Sequence, residues 1–408
     1  MLSLLLFVPL SVVAQNRGRG VEVSHQNILS DNSDSVDSGV VKLLVEMGME
    51  DVKAITKGDN TYICYEDNIY RGNYRGIAQT VKSLREIVPT QTINLLLLSD
   101  GIAQISIVVP ENFEQLEVSY STTKIAEQLK GKESHNRRFG KTDIVLYPEL
   151  FLENSWLDRL YGYAVNLSPA VEVSLWKGAE FTGQVVLPLK TNMVDEHQYI
   201  RPGFITLRQS FRLPKNIMGD ITVGNFDTNR AGLNLNLCYY SLNNRLSFGV
   251  NGALTGSSTF NKGEWTLSQW RRFSGSFWGG YYIPRYNMET KISVGRMIYG
   301  DSGVRVDMAR HFGEVAVGLY AHYYGGDPNG GFSFTVPMPS KRRWARKPIR
   351  VTIPEEFSRV YRAQSSRDLL LGYSFTTRPD ESWNLNFYNP IYIRNRVVGL
   401  LRELLKIE

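Results

Sequence analysis

The chain has 408 residues, with 46 Lys or Arg against 40 Asp or Glu, so its formal net charge of +6 is modest. This length allows two or three ordinary domains, or one large barrel with an appendage. The basic residues are scattered except at 341–350, which gives no sign of nucleic-acid binding. The only two cysteines, Cys64 and Cys238, lie far apart, so neither a disulfide framework nor a metal or cofactor site is predicted.

Residues 1–14 are mostly apolar and end in Val12, Val13 and Ala14, a small-residue pattern typical of an export signal's cleavage site. A buried first strand or helix is the alternative. We favour the signal because the polar residues 15–37, with the composition of a disordered linker, follow at once. No later segment has the roughly 18 consecutive apolar residues of a spanning helix, so an exported chain is either soluble or a β-barrel.

Residues 38–110 alternate between helical and strand patterns. Apolar residues recur at helical spacing in 41–49 and again in 77–87, and each of these segments precedes a candidate hairpin, 52–66 or 93–109. The predicted unit is a small α/β domain.

The connecting segment 111–165 is less regular. It contains a helix candidate at 121–129, a basic stretch at 130–141 and a strand candidate at 143–146. At the other end of the chain, the pattern of 397–407 predicts a helix, which we interpret as a tail of residues 391–408 outside the barrel.

From Ala170 onward, apolar and polar residues alternate with the period of two that β-strands have. The clearest pair is 233–240 and 246–255, where Leu, Phe and Val on one parity oppose mainly Asn, Ser and Gly on the other. The other candidate strands are 171–176, 181–189, 205–213, 221–226, 273–283, 292–299, 304–308, 315–322, 332–336, 369–375 and 383–387. The pattern predicts about 12 strands over 166–390, within the range of outer-membrane barrels.

Charged side chains within these strands lie on the polar parity. They include Glu172, Arg208, Arg212, Arg305, Asp307 and His322. In a soluble sandwich such residues face water, whereas in a membrane barrel they face the lumen. A charge facing lipid at mid-bilayer costs about 2–4 kcal/mol, so the clean segregation favours a membrane barrel. Arg296 breaks the pattern and requires a bulge or a position at the rim.

Aromatic residues occur in adjacent pairs near strand ends, as expected for the aromatic girdles of a bilayer interface. These pairs are Tyr239–Tyr240, Phe277–Trp278, Tyr281–Tyr282, Tyr323–Tyr324 and Phe387–Tyr388. The sequence therefore predicts a mainly β protein: a transmembrane antiparallel β-barrel with a small N-terminal α/β periplasmic domain.

Several short motifs in 160–340 occur in a characteristic order. They are Leu187–Leu189, Ile200–Gly203, Phe211–Pro214, Gly300–Asp307, Arg310–Gly313 and Asn329–Pro337. In this series the chain resembles the YjbH/GfcD-type outer-membrane proteins of exopolysaccharide and capsule loci. The resemblance implies an outer-membrane barrel of a Gram-negative bacterium that acts in polysaccharide export, without known catalytic residues.

The expected partners are outer-membrane lipid, an anionic polysaccharide and other proteins of the exopolysaccharide locus, but not nucleic acid. The lumen residues named above are the first candidates for contact with the polymer. A basic loop is the second candidate, comprising Lys341, Arg342, Arg343, Trp344 and Arg346. It could bind an anionic glycan or lipid phosphates, with Trp344 stacking on a sugar, or it could be a solvated loop or a partner-binding surface.

Two other functions remain open. A protein assembly or secretion barrel would recruit substrates by strand addition at an exposed edge of the 38–110 domain. A barrel hydrolase would use Asp307, His311 and His322, which lie on neighbouring candidate strands, although no Ser-containing motif accompanies them. The glycine-rich residues 325–331 lack the features of a phosphate or calcium loop and predict a turn.

Overall fold

The computed structural model describes residues 33–154, 161–193, 195–362, 371–379 and 388–405. The predicted export signal 1–14 and the strand candidate 383–387 lie outside these ranges. Residues 33–37, predicted as the end of a disordered linker, are the beginning of a helix.

The N-terminal unit has the predicted order of helix, hairpin, helix and hairpin. Its elements are α1 (Ser33–Met47), β1 (Glu50–Lys57), β2 (Asn60–Glu66), α2 (Asn73–Ile87), β3 (Thr92–Ser99), β4 (Ile102–Val109), β5 (Glu117–Ser119) and α3 (Thr123–Gln128). The sheet order is β1-β2-β3-β4-β5, and only β2 and β3 are parallel, because α2 crosses between them. The turn between β3 and β4 places Asp100 and Gly101 at positive φ, as a tight hairpin requires.

The last helix, α4 (Pro390–Leu405), packs into the core of this α/β unit. Ile393, Val397 and Leu401, four residues apart on one face, are fully buried against it and α4 lies against α2. The predicted C-terminal tail is therefore an integral part of the α/β unit.

The rest of the described chain forms one sheet of 15 strands. They are β6 (Thr142–Asn154), β7 (Tyr161–Ser174), β8 (Ala179–Thr191), β9 (Arg201–Leu213), β10 (Ile217–Phe226), β11 (Arg230–Tyr240), β12 (Leu246–Asn261), β13 (Glu264–Leu267), β14 (Arg272–Ile283), β15 (Met288–Arg296), β16 (Ser302–Phe312), β17 (Val315–Tyr324), β18 (Asp327–Pro337), β19 (Ile349–Thr352) and β20 (Glu356–Arg362). From β6 to β18 each strand pairs antiparallel with the next, except that β13 is a side branch of β12. The sheet exceeds the predicted count of about 12 because it also contains the short strands β13, β19 and β20, while residues 371–375 are irregular.

The two ends of this sheet lie close together. Strand β19 pairs in parallel with β6, and β20 pairs antiparallel with β18. Only residues 353–355 separate β19 from β20. The guanidinium carbon of Arg359 in β20 is 5.1 Å from the ring centroid of Phe151 in β6. The sheet thus curves enough to bring part of β20 beside β6.

The apolar parity of the strands faces outward and the polar parity faces inward. In β16, Val304, Val306 and Met308 are 37%, 38% and 43% exposed, whereas Asp307 between them is 8% exposed. Exposed apolar side chains on other strands include Val171, Phe181, Val185, Leu207, Ile221, Leu233, Phe248, Val250, Phe273, Phe277, Ile292, Val294, Val317, Leu319 and Phe332. Buried polar side chains include Asn166, Ser168, Thr182, Gln184, Thr206, Thr222, Asn234, Thr255, Ser274 and Thr335. A sheet of a water-soluble domain has the opposite arrangement.

The inward asparagines satisfy one another. The side-chain amide of Asn251 donates to the side-chain oxygens of Asn234 at 2.8 Å and Asn236 at 2.6 Å. Asn236 donates in turn to Asp220 at 3.2 Å. Buried amides need such partners, so this ladder makes a polar interior stable. Arg296 faces outward as the last residue of β15, which agrees with the predicted rim position.

The adjacent aromatic pairs do not both face outward. Tyr239 is 38% exposed, whereas Tyr240 faces inward and stacks on Tyr120 of the α/β unit at 4.4 Å. Tyr323 is 53% exposed and its neighbour Tyr324 is 1% exposed. The prediction that whole pairs form girdles was wrong, because successive side chains of a strand point to opposite faces.

The packing of α4 has a measurable consequence. We expect Leu401→Ala to lower the stability of the α/β unit by about 2–5 kcal/mol, because it leaves a cavity in a fully buried site. Amide hydrogen exchange of β3 would show this as faster opening. The exposed Glu403→Ala is the matched control and should change exchange little. Equal effects of both changes would contradict the assignment of α4 to the core.

Candidate functional site

A cavity of about 1310 Å³ lies between the inner face of the large sheet and the α/β unit. Its described lining contains ten arginines and ten acidic side chains. The arginines are Arg138, Arg201, Arg208, Arg230, Arg272, Arg343, Arg346, Arg350, Arg359 and Arg378, and the acids are Glu66, Asp67, Asp100, Asp143, Glu149, Glu172, Glu180, Asp227, Glu355 and Glu356. Aromatic lining residues include Tyr147, Phe151, Phe204, Phe226, Phe260, Trp265, Tyr299, Phe357, Tyr373 and Tyr388.

The turn between β3 and β4 reaches the inner face of the sheet through Asp100. Arg208 of β9 contacts Asp100 at 2.7 Å and Glu180 of β8 at 3.1 Å. Arg138 contacts Asp100 at 2.9 Å and Glu66 at 3.4 Å. Burial opposes the charged form of Asp100, but Arg208 and Arg138 outweigh it and lower its pKa, whereas burial raises the pKa of Glu66. Arg208 thus binds the α/β unit through Asp100.

Arg212, the next inward arginine of β9, makes a second attachment. Its guanidinium donates to the backbone carbonyls of Ala103 and Gln104, both at 2.9 Å, and to that of Tyr120. These carbonyls belong to β4 and to the residue just after β5. The predicted polymer contacts Arg208 and Arg212 therefore bind the chain's own α/β unit.

Glu314, in the turn between β16 and β17, makes a third attachment. It accepts hydrogen bonds from Arg71 at 2.6 Å, Arg75 at 2.9 Å and the hydroxyl of Tyr74 at 3.0 Å. Burial alone would raise the pKa of this carboxyl, but the two arginines and the tyrosine outweigh it and lower the pKa to about 2.

The basic loop lies against the α/β unit. Arg346 is buried and donates twice to Glu50 of β1, at 2.5 Å and 3.2 Å. Arg343 pairs with Glu355. Beside the loop, Arg350 makes a two-pronged contact with Asp143 at 2.7 and 2.8 Å. Such forked contacts between arginine and carboxylate are strong and geometrically specific, so these arginines fix the loop in place.

The remaining loop residues are accessible. Lys341 and Arg342 are exposed, and Trp344 is 83% exposed. The guanidinium of Arg342 lies 5.6 Å from the ring of Tyr70, and the two residues form an isolated backbone bridge. The surface that these residues offer is therefore at the α/β end of the sheet.

Of the other residues predicted to face the lumen, Glu172 lines the cavity, whereas Arg305, Asp307 and His322 do not. Glu172 lines the cavity and accepts a hydrogen bond from the hydroxyl of Tyr147 at 2.7 Å. Arg305 pairs with Asp307 at 2.7 Å and lies 4.0 Å from the ring of Tyr320. His322 is buried, with ring contacts to Tyr320 and Tyr324. Arg212, Arg305, Asp307 and His322 are not among the described lining residues of the cavity.

In the structure, the residues considered for a hydrolase site contact different partners. His311 lies 2.8 Å from Glu289, next to Tyr392 of α4, while Asp307 binds Arg305. Their contacts thus provide no positive support for a shared catalytic site. Within the described ranges, no group of His, Cys, Asp or Glu side chains could hold a metal ion. Of the residues 325–331 predicted as a turn, only 325–326 form the turn between β17 and β18, because β18 already begins at Asp327.

A second cluster, which the sequence analysis missed, lies at the end of the sheet away from the α/β unit. We call it the mouth cluster: Arg230, Arg272, Tyr299, Tyr373 and Trp265, all of which line the cavity. Arg230 and Arg272 are the first residues of their strands, on the inward parity. The only sequence signal was this parity, because Tyr299 and Tyr373 come from irregular segments.

These features define a mainly β protein with a 15-stranded sheet, apolar outside and polar inside, that holds an α/β unit at one end. No helix in the described ranges is long and apolar enough to cross a membrane. Residues 203–339 match the family model described as "YjbH: Exopolysaccharide biosynthesis protein YbjH". The match extends from within β9 to just beyond β18 and confirms the resemblance to the YjbH-type family. Comparison with curated proteins and with solved structures gave no match.

The Glu314 contact predicts a pH effect. We expect Glu314→Gln to lower the free energy of unfolding by about 1–3 kcal/mol at pH 6, because hydrogen bonds to a charged group are lost. Since the pKa of Glu314 is lowered to about 2 from the ordinary 4.5, its stabilisation is present above pH 4.5 and is lost as pH falls toward 2. The difference between wild type and variant in urea unfolding should therefore shrink over this window.

The control for this experiment is Glu264→Gln, at an exposed position of β13. It should differ little from wild type at either pH. A Glu314→Gln variant as stable as wild type at pH 6, or a difference that persists at pH 2, would contradict the assigned role of Glu314.

Proposed function

We propose that the chain is an outer-membrane β-barrel that assists export or assembly of an exopolysaccharide or capsule, without enzymatic chemistry. Its α/β unit would lie in the periplasm of a Gram-negative bacterium. The YjbH-family match over 203–339 supports a role in exopolysaccharide biosynthesis. The outward apolar face, the proximity of the sheet ends and the arginines of the cavity support the location and the mechanism.

The observation that carries the proposal is the outward apolar face. Phe277 is 71% exposed, Leu319 66% and Val294 57%, on different strands of one continuous surface. Apolar patches this extensive are rare on monomeric soluble proteins. Lipid would cover this face, and strands of about 10 residues have the length to span a bilayer.

The proximity of the sheet ends supports closure into a barrel. A spanning sheet needs every backbone group paired, so an open edge in lipid is excluded. Strands β6 and β18 are bridged by β19 and β20, which are joined by three residues, 353–355. The 12 strands from β6 to β18 without β13 would then form the wall.

The turns support the proposed orientation. At the α/β end the connections between strands are short, at 175–178, 214–216, 241–245, 284–287 and 313–314. Short turns are typical of the periplasmic side of outer-membrane barrels. Both the N-terminal unit and α4 lie at this end, so the opposite end would face the exterior.

The arginines and aromatic side chains of the cavity support a polymer of anionic sugars as cargo. Guanidinium groups bind carboxylates with two parallel hydrogen bonds, and aromatic rings offer flat apolar surfaces. The exposed Lys341, Arg342 and Trp344 at the α/β end would contact other proteins of the exopolysaccharide locus, where aromatic and arginine side chains are frequent anchors.

The alternative of a protein-assembly barrel has less support. Strand addition needs an exposed sheet edge. The edge strand β1 is engaged at Val52, whose backbone exchanges hydrogen bonds with His135 at 2.8 and 3.0 Å. At the other edge, α4 packs against β5.

A charge on the outer face tests the proposed lipid contact. We expect Val306→Arg, in the middle of β16, to lower stability in lipid vesicles by about 2–4 kcal/mol, and Phe312→Arg, at the strand end, by about 0–1 kcal/mol. Urea unfolding of protein folded into vesicles measures both. If the central arginine costs no more than the terminal one, lipid does not cover this face.

A gene deletion tests the export role. We expect a clean deletion to reduce surface polysaccharide severalfold, because the polymer loses its passage or its assembly partner. Expression of the wild-type chain in trans should restore it, and the amounts of unrelated outer-membrane proteins serve as the control. Unchanged surface polysaccharide in the deletion strain, under conditions in which the locus is expressed, would overturn the proposal.

A further inference from the structure

The mouth cluster brings two arginines onto one aromatic ring. The guanidinium carbons of Arg230 and Arg272 lie 5.0 Å and 5.6 Å from the ring centroid of Tyr299. Tyr299 belongs to the connection between β15 and β16 and is 39% exposed. Tyr373 packs edge-on against it, with ring centroids 6.2 Å apart. Both guanidinium groups therefore lie beside the Tyr299 ring in the wall of the cavity.

These cations have no counter-charge within the described part of the chain. Neither Arg230 nor Arg272 forms an ion pair there with an Asp or Glu. Arg230 is 4% exposed, and its Nε–H has no hydrogen-bond partner. Leaving a buried donor unsatisfied costs about 1–3 kcal/mol, and two neighbouring cations repel each other. The cluster is therefore built to receive an anion.

The nearest acid in sequence, Asp227, is engaged elsewhere. Its carboxylate accepts hydrogen bonds from the backbone N–H of Thr376 at 2.6 Å and from the hydroxyl of the same residue at 2.8 Å. Phe375 stacks on Phe226 at 5.1 Å, which fixes this segment at the same end of the sheet. Segment 371–379 therefore contributes Tyr373 to the mouth cluster, and its Thr376 binds the carboxylate of Asp227.

The flanking aromatic residue Trp265 indicates the chemistry of the ligand. Trp265 of β13 is 44% exposed, and its indole N–H donates to the hydroxyl of Ser258 at 2.9 Å, so the orientation of its ring is fixed. A guanidinium can donate two parallel hydrogen bonds to a carboxylate, and flat apolar rings can pack against an apolar face. Together they suit a ligand that has both an apolar face and a carboxylate. An isolated inorganic anion would use only the arginines.

We propose that the mouth cluster binds a carboxylate-bearing sugar unit of a polysaccharide, with Arg230 and Arg272 holding the carboxylate and the aromatic residues lining the sugar ring. The inference rests on the proposed function, because it names the class of polymer that the cavity would carry. The mouth cluster is a different site from the predicted contacts Arg208 and Arg212, which bind the α/β unit.

The test is binding of trigalacturonate to the full-length protein in detergent, measured by titration calorimetry at low salt. We expect Arg272→Gln to weaken binding at least tenfold and the double variant with Arg230→Gln to abolish it. The matched control is Arg285→Gln, because Arg285 also lies over a tyrosine ring, at 5.7 Å from Tyr286, but at the α/β end. It should leave the affinity unchanged, and heat-modifiable gel mobility verifies that each variant is folded.

Maltotriose, acetate and inorganic phosphate complete the experiment. We expect each to bind at least tenfold more weakly than trigalacturonate. Equal binding of maltotriose would overturn the role of the arginines, and equal binding of phosphate or acetate would overturn the role of the sugar. No binding of trigalacturonate, or equal binding by the double variant, would also overturn the inference.

The deletion strain separates the two proposals. Lost surface polysaccharide together with no trigalacturonate binding refutes only the mouth cluster as a site. Normal surface polysaccharide refutes the export role, whatever the purified protein binds.

Discussion

The structure depends on one constraint, the alternation of apolar and polar side chains along consecutive strands. In β16 and its neighbours this alternation places Val, Leu, Ile and Phe on the outer face and Asn, Ser, Thr and charged groups on the inner face. In water the outer face would lose most of the hydrophobic stabilisation that folding normally provides, about 25 cal/mol for each Å² of apolar surface. The lipid environment that we propose would remove this conflict, and the polar interior follows from the same pattern.

The polar interior also explains how the α/β unit is held. Arg208 and Arg212 reach it from β9, Glu314 from the turn after β16, and Arg346 from the basic loop. These contacts join charged groups to opposite charges, to backbone carbonyls or to the Tyr74 hydroxyl, and the stacking of Tyr240 on Tyr120 adds apolar packing at this end. Apart from the exposed Lys341 and Arg342, most of the chain's conspicuous cations therefore have a structural role, and the arginines of the mouth cluster stand out because they do not.

The sequence predicted the local elements well, because local patterns determine them. Strands β1 to β4 and helix α2 appear where the periodicity and turn residues placed them. The partners of the basic loop could not be predicted, since Arg346 and Glu50 are 296 residues apart in the chain. The place of α4 depends on a similarly distant contact. The aromatic pairs were misinterpreted because adjacency was given more weight than the period of two. The mouth cluster was missed because two of its five residues, Tyr299 and Tyr373, come from irregular segments.

The most direct test of the account is nitroxide scanning of β16 in lipid vesicles, in a background where both cysteines are replaced. Spin labels at positions 304 to 308 report collision rates with oxygen, which concentrates in lipid, and with a water-soluble nickel complex. The account predicts maximal oxygen access at 304, 306 and 308 and a minimum at 305 and 307. High nickel access at 304, 306 and 308 would show that water covers the apolar face, which would contradict the account.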